Sequence, residues 1–240
     1  MREKEVAVVA MPRTGSTYLF RCLAGLKHAG GSPKGANLAK LPIMKCHSLA
    51  PPETFGDPWS SQISEHCLKG RKVIWLFGDP IASVVSTMKK RFDHVHAKNC
   101  GCFKPLGMVD LIDRDDFNYE WMFDSWTSIR HDFPVLCVRY ETLWKNRFVI
   151  EWFLGRKVKW NEWSPRSNRW TTEELPNFLS KALNKTYSSL VEKVQMHPDV
   201  TLNGGDTLRI SGDLVRIEKG VGFGKNYFYD LVKKGETENG

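Results

Sequence analysis

A six-residue apolar run, Val6-Ala7-Val8-Val9-Ala10-Met11, stops abruptly at Pro12 and is followed by a short polar loop. A continuous apolar run without alternation suits a strand buried on both faces of a parallel sheet. Beyond the loop, Tyr18, Leu19, Cys22, Leu23 and Leu26 recur at helical spacing until Gly30-Gly31 ends the pattern. The segment therefore reads as strand, tight turn and helix, the opening unit of a doubly wound α/β fold.

Further short apolar runs at Leu41 to Cys46, Val73 to Phe77 and Val135 to Val138 read as additional strands. Ile81 to Phe92 and Phe117 to His131 carry helical character between them. The expected architecture is α/β in three layers, with a central, mainly parallel sheet flanked by helices. Pro51 to Pro58 and Asn99 to Gly107 read as loops, and the stretch holding Trp152, Trp160, Trp163 and Trp170 as a helix-and-loop layer over the sheet. With 240 residues the chain suits one domain spanning 1–240, Gly235 to Gly240 being a frayed tail.

No stretch approaches the roughly 20 consecutive apolar residues that cross a bilayer, and the start has no signal-type apolar region. The expectation is a soluble, cytoplasmic protein without a membrane span. Six scattered cysteines then read as free thiols. Cys100 and Cys102, with His94 and His96 nearby, lack the second pair that zinc-type spacing requires, so no metal is expected. The net charge of +8 favours anionic ligands, but the basic residues are spread out, which argues against a nucleic-acid partner.

Between the first strand and its helix lies Pro12-Arg13-Thr14-Gly15-Ser16-Thr17. Backbone N–H groups and the positive end of the helix dipole converge in such a turn, which makes it an anion site. A nucleotide-hydrolysing P-loop reads G-x-x-x-x-G-K-[ST]; here Ala10 stands at the first glycine and Ser16 at the lysine, leaving Gly15 and Thr17 in register. Arg13 offers a positive charge from within the loop. The same six residues also suit a plain strand-to-helix turn with Ser16 as N-cap.

Taken with four further stretches, the loop resembles the sulfotransferase family, whose donor is 3′-phosphoadenosine 5′-phosphosulfate. Pro12 to Thr17 followed by Tyr18 matches that family's P-[KR]-[ST]-G-[ST]-[ST] and its aromatic residue. Lys45-Cys46-His47 before Pro51 is similar to the K-[TS]-H-x-P segment that supplies the catalytic base. Asp79, Pro80 and Ser86 match the element that reads the 3′-phosphate, commonly R-[ND]-P and a later serine, although Gly78 replaces the arginine. Arg139-Tyr140-Glu141-Thr142-Leu143 and the loop at Lys219-Gly220 resemble two more elements, with Glu218 in place of a second arginine. Arg216, Lys219 and Lys89 to Arg91 are the nearest replacements.

The resemblance implies a P-loop nucleotide-hydrolase-like fold and sulfuryl transfer to a small-molecule or glycan acceptor. His47 would act as base, and Arg13 and Lys45 would neutralise charge on the leaving phosphate. Thr14, Gly15, Ser16 and Thr17 would hold the 5′-phosphosulfate, with Tyr18 stacking on adenine. Ser86, Tyr140, Lys219 and Gly220 would complete the nucleotide site, and adenosine 3′,5′-bisphosphate would be the product. No metal is needed where amides and cations hold the leaving group. Two other readings stay open: an ATP-dependent small-molecule kinase, and a nucleotide-binding protein without turnover.

Overall fold

The computed structural model describes residues 6–25, 43–47, 68–91, 96–97, 100, 102, 104, 108–128, 131–162, 175–203, 207–210 and 213–216. The apolar run forms β1 (Val6–Ala10), with every residue buried. After the loop comes α1 (Ser16–Ala24), then β2 (Ile43–Cys46), β3 (Lys72–Phe77) and α2 (Pro80–Lys89). They are followed by α3 (Tyr119–Thr127), β4 (Val135–Arg139), a single 3₁₀ turn (Tyr140–Thr142) and α4 (Arg147–Leu154). The long α5 (Asn177–Met196) leads into β5 (Val200–Asn203), and β6 (Thr207–Ile210) and β7 (Asp213–Arg216) form a separate antiparallel pair.

The main sheet has the order β2-β1-β3-β4-β5. β1 pairs in parallel with both neighbours, Val9 lying opposite Cys46 on one side and Trp75 on the other. β3 and β4 are also parallel, with Phe77 opposite Arg139. Among the described strands of this sheet only β5 runs antiparallel, Cys137 facing Thr201. The expectation of a mainly parallel sheet between helical layers agrees with this arrangement.

Alternation along the strands divides the apolar side chains between two faces. Ala7, Val9, Trp75 and Phe77 pack beneath α2, α3 and α5. Val8, Ala10, Ile74, Leu76, Leu136 and Val138 pack beneath α1 and α4. Trp75 and Trp126 stack with ring centroids 5.6 Å apart in the first layer. Each such side chain taken fully out of water stabilises the fold by about 1.5–3 kcal/mol before entropy is counted.

Helix ends follow local chemistry. α1 stops earlier than the Gly30-Gly31 pair, because Gly25 adopts a left-handed conformation and its N–H meets the carbonyls of Arg21 and Cys22. Asp79 caps α2, its carboxylate accepting from Ile81 N at 2.8 Å and Ala82 N at 3.1 Å, and Pro80 occupies the first turn. α5 buries Leu183, Tyr187, Leu190 and Val194, a spacing of four, three and four residues on one face. No helix among the described residues is long and apolar enough to cross a membrane.

Candidate anion-binding site at the strand ends

β1, β2, β3 and β4 are mutually parallel, so their C-terminal ends share one edge of the sheet. The chain passes from β1 to β2 on one side and then to β3 on the other, which makes the β1–β3 boundary a topological switch point, where open α/β sheets take their ligands. The loop after β1 lies at that boundary. Met11 N donates to Leu76 O at 2.9 Å, prolonging the β1–β3 pairing by one residue. Thr14 Oγ1 lies 2.7 Å from Met11 O and 3.2 Å from Leu76 O, so this buried hydroxyl points inward and braces the turn.

Two loop residues are left-handed, Arg13 at φ 66° and Gly15 at φ 80°. Gly15 is the N-cap of α1, and no side chain bonds there. Ser16 is consequently the first helical residue and not the cap that a plain turn would use. The first turn of α1 also contains no acidic residue, so no carboxylate offsets the positive end of its dipole. Tyr140, buried at the end of β4, lies against the loop: a Cβ built on Gly15 would stand 2.6 Å from its Cδ2.

α2 holds the loop from the opposite side. Ser83 Oγ donates to the Pro12 carbonyl and lies 3.1 Å from the Tyr119 hydroxyl. One turn along, Ser86 Oγ accepts from Arg13 Nε at 3.0 Å. The motif comparison singled out Ser86 and missed Ser83, although residues three apart on a helix share a face and a serine there was the available signal.

β2 delivers the other two cationic or basic groups. Lys45 Nζ donates to Thr17 Oγ1 at 2.8 Å. Burial, followed by the nearby charge of Arg21, holds the Lys45 ammonium below its ordinary pKa. His47 is 7 % exposed, and its Nδ1 lies 3.0 Å from the Ala10 carbonyl. Because a carbonyl only accepts, Nδ1 must carry the proton, and neutral His47 keeps its lone pair on Nε2. Burial first, then Lys45 and His96, push the pKa of His47 down to about 3, against the Ala10 contact, which raises it.

Among the sequence-predicted residues, Arg13, Thr14, Gly15, Ser16, Thr17, Lys45, His47, Ser86 and Tyr140 meet in this one region. Tyr18 has a further attachment: its hydroxyl donates to Asn161 O at 2.8 Å, its ring packs on the core layer beneath α1, and burial raises its pKa. Lys219 and Gly220, together with Arg216's side chain, lie outside what the structure describes. Lys89, Lys90 and Arg91 are exposed at the far end of α2.

At Gly78 a carboxylate takes the neighbouring space. A Cβ on Gly78 would lie 2.9 Å from Glu141 Oε1 and 3.0 Å from Oε2, and Asp79 N donates to Oε1 at 3.3 Å. Cys100 and Cys102 are buried, with their backbone amides bonded to the short turn at His96 and Ala97. Among the described residues, no group of three or more His, Cys, Asp or Glu is arranged to hold a metal ion. Compared with known proteins, the chain matches no family model and no curated protein.

Proposed function

We propose that the protein is a sulfotransferase that moves a sulfuryl group from 3′-phosphoadenosine 5′-phosphosulfate to the hydroxyl or amine of a small-molecule or glycan acceptor. The observation that carries this reading is the contact between His47 Nδ1 and the Ala10 carbonyl. It leaves Nε2 as a proton acceptor next to a loop built to receive an anion. In the proposed step the acceptor oxygen forms a bond to sulfur while its proton passes to His47 Nε2. The bond from sulfur to the bridging oxygen breaks, and its electron pair leaves on the phosphate of adenosine 3′,5′-bisphosphate. Charge growing on that oxygen is met by Arg13, Lys45 and the opening amides of α1.

Burial keeps His47 neutral with its Nε2 lone pair available, but a pKa of about 3 makes it a weak base, and the role requires the charge of the bound anion to raise that value. Lys45 both holds Thr17 and adds positive charge to the site. Support for the donor's 3′-phosphate comes from Ser86, which Arg13 already contacts.

A second reading, an ATP-dependent small-molecule kinase or a nucleotide binder without turnover, is favoured by Glu141 over Gly78. A carboxylate there accepts hydrogen bonds from ribose hydroxyls and repels a phosphate. A thermal-shift comparison separates the readings, because stabilisation follows ligand concentration over Kd. Adenosine 3′,5′-bisphosphate should raise the melting temperature more than ADP, AMP or magnesium ATP at equal concentration. A larger shift with magnesium ATP would reject sulfuryl transfer in favour of the kinase.

A further inference from the structure

His47 is not the only buried imidazole at this edge. His96 is 8 % exposed, and the two rings meet edge to face with centroids 5.2 Å apart and planes at 79°. The backbone carbonyl of His96 accepts from Cys100 N at 2.9 Å, which anchors the residue from its own segment. The proposed mechanism assigns His96 no part. Among the described residues, the charged and titratable groups acting on His47 are Lys45 beside it in sequence, Arg13 from the loop and His96 from a separate segment.

We propose that His96 is a positioning residue for His47: its ring seats the His47 imidazole edge to face, and the two buried rings together hold no more than one proton. This rests on the reading of His47 as the base. Two features of the His47 ring are then fixed, Nδ1 by the Ala10 carbonyl and the tilt of the ring by His96. Only rotation about the side-chain bonds would otherwise aim Nε2, and an imidazole free to rotate loses the alignment that in-line proton removal requires. Adjacent imidazoles that interact this closely titrate as a pair, and a proton on one opposes a proton on the other. The favoured state leaves His47 neutral, taking a proton only as the acceptor gives it up.

The test separates positioning from general loss of fold, and it separates this proposal from the reaction assignment. Imidazole proton resonances of the full chain, followed by NMR over a pH titration, report His47 without any turnover. In His96→Phe the ring contact is kept and the second titratable group is removed. The His47 midpoint should then rise, and the acid limb of kcat/KM should move to higher pH by the same amount. His96→Ala, which removes the ring, should lose about 10²-fold in kcat, while adenosine 3′,5′-bisphosphate binds as before. His96→Phe should recover most of that loss.

An unmoved His47 midpoint in folded His96→Phe would overturn the proposal, as would equal kcat values for His96→Ala and the parent. If neither variant folds, cross-relaxation between His47 and His96 ring protons in the unmodified protein decides the matter, its absence rejecting the contact. Should the midpoint shift as expected in a protein that transfers no sulfuryl group, the pairing stands and the assigned reaction falls.

Discussion

The ring of Tyr140 lies across Gly15, so close that a Cβ at Gly15 would stand 2.6 Å from the ring's Cδ2. A residue at the end of β4 thereby fixes the N-cap of the helix that follows β1. Gly15→Ala meets both this ring and the cost of a left-handed φ of 80°. It should destabilise the protein by about 1–3 kcal/mol and abolish binding of adenosine 3′,5′-bisphosphate by calorimetry. Unchanged urea midpoint and affinity would mean that the loop tolerates a side chain there.

Replacement of His47 separates chemistry from binding. His47→Ala should leave donor-product affinity within a few-fold of the parent and eliminate sulfuryl transfer in a radiolabelled-donor assay. Lost affinity in a folded variant would count against its role as base.

Arg13 should behave differently, since it lies within the proposed anion loop itself. Arg13→Ala is expected to lower kcat by about 10²–10³-fold and to weaken donor-product binding as well. Kinetics indistinguishable from the parent would remove the guanidinium from the mechanism.

Acid stability supplies a test independent of ligand. His47 has an ordinary pKa of 6.5 and a folded value of about 3, so the unfolded chain takes up the proton first. The stability linked to the buried neutral ring is complete above 6.5 and is lost as pH falls from there toward 3, by at most about 1.4 kcal/mol per pH unit. Urea midpoints at about pH 7.5 and about pH 5 should fall further in the parent than in His47→Gln, whose amide donates without titrating. Equal falls would show that the histidine is not held neutral.

Gly78→Arg tests donor choice. The backbone at Gly78 does not require glycine, and the nearest obstruction is the carboxylate end of the Glu141 side chain. The new guanidinium should offset that carboxylate and reach a 3′-phosphate, raising affinity for adenosine 3′,5′-bisphosphate over ADP by about tenfold. No change in that ratio would place the 3′-phosphate elsewhere.

Much of this architecture was legible in the chain because its signals are local. The unbroken apolar run of β1 and the Asp79-Pro80 start of α2 each reflect short-range sterics or capping. β2, β3 and β4 appear within a residue or two of their apolar runs. α5 goes unassigned from sequence alone, although Leu183, Tyr187, Leu190 and Val194 form an apolar stripe on a helix otherwise made mostly of polar residues. β5 was harder: its four residues acquire a partner only through contact with β4, a pairing that no local pattern encodes. The site divides in the same way. Motif spacing pointed to Arg13, Lys45, His47 and Ser86, whereas the placement of Tyr140 on Gly15 and of Glu141 on Gly78 depends on neighbouring strand ends more than sixty residues apart in sequence.

Ser83 and Ser86 project from one face of α2 to consecutive residues of the loop, the first to the Pro12 carbonyl and the second to the Arg13 side chain. Helix and loop are thus held together by contacts of the protein alone, as the proposed anion site requires. A ligand that engages Arg13 meets a guanidinium with a set direction and forfeits little conformational entropy in using it. The corollary is selectivity by reach: an anion too short to span from the α1 amides to Ser86 must leave one end of the site unused.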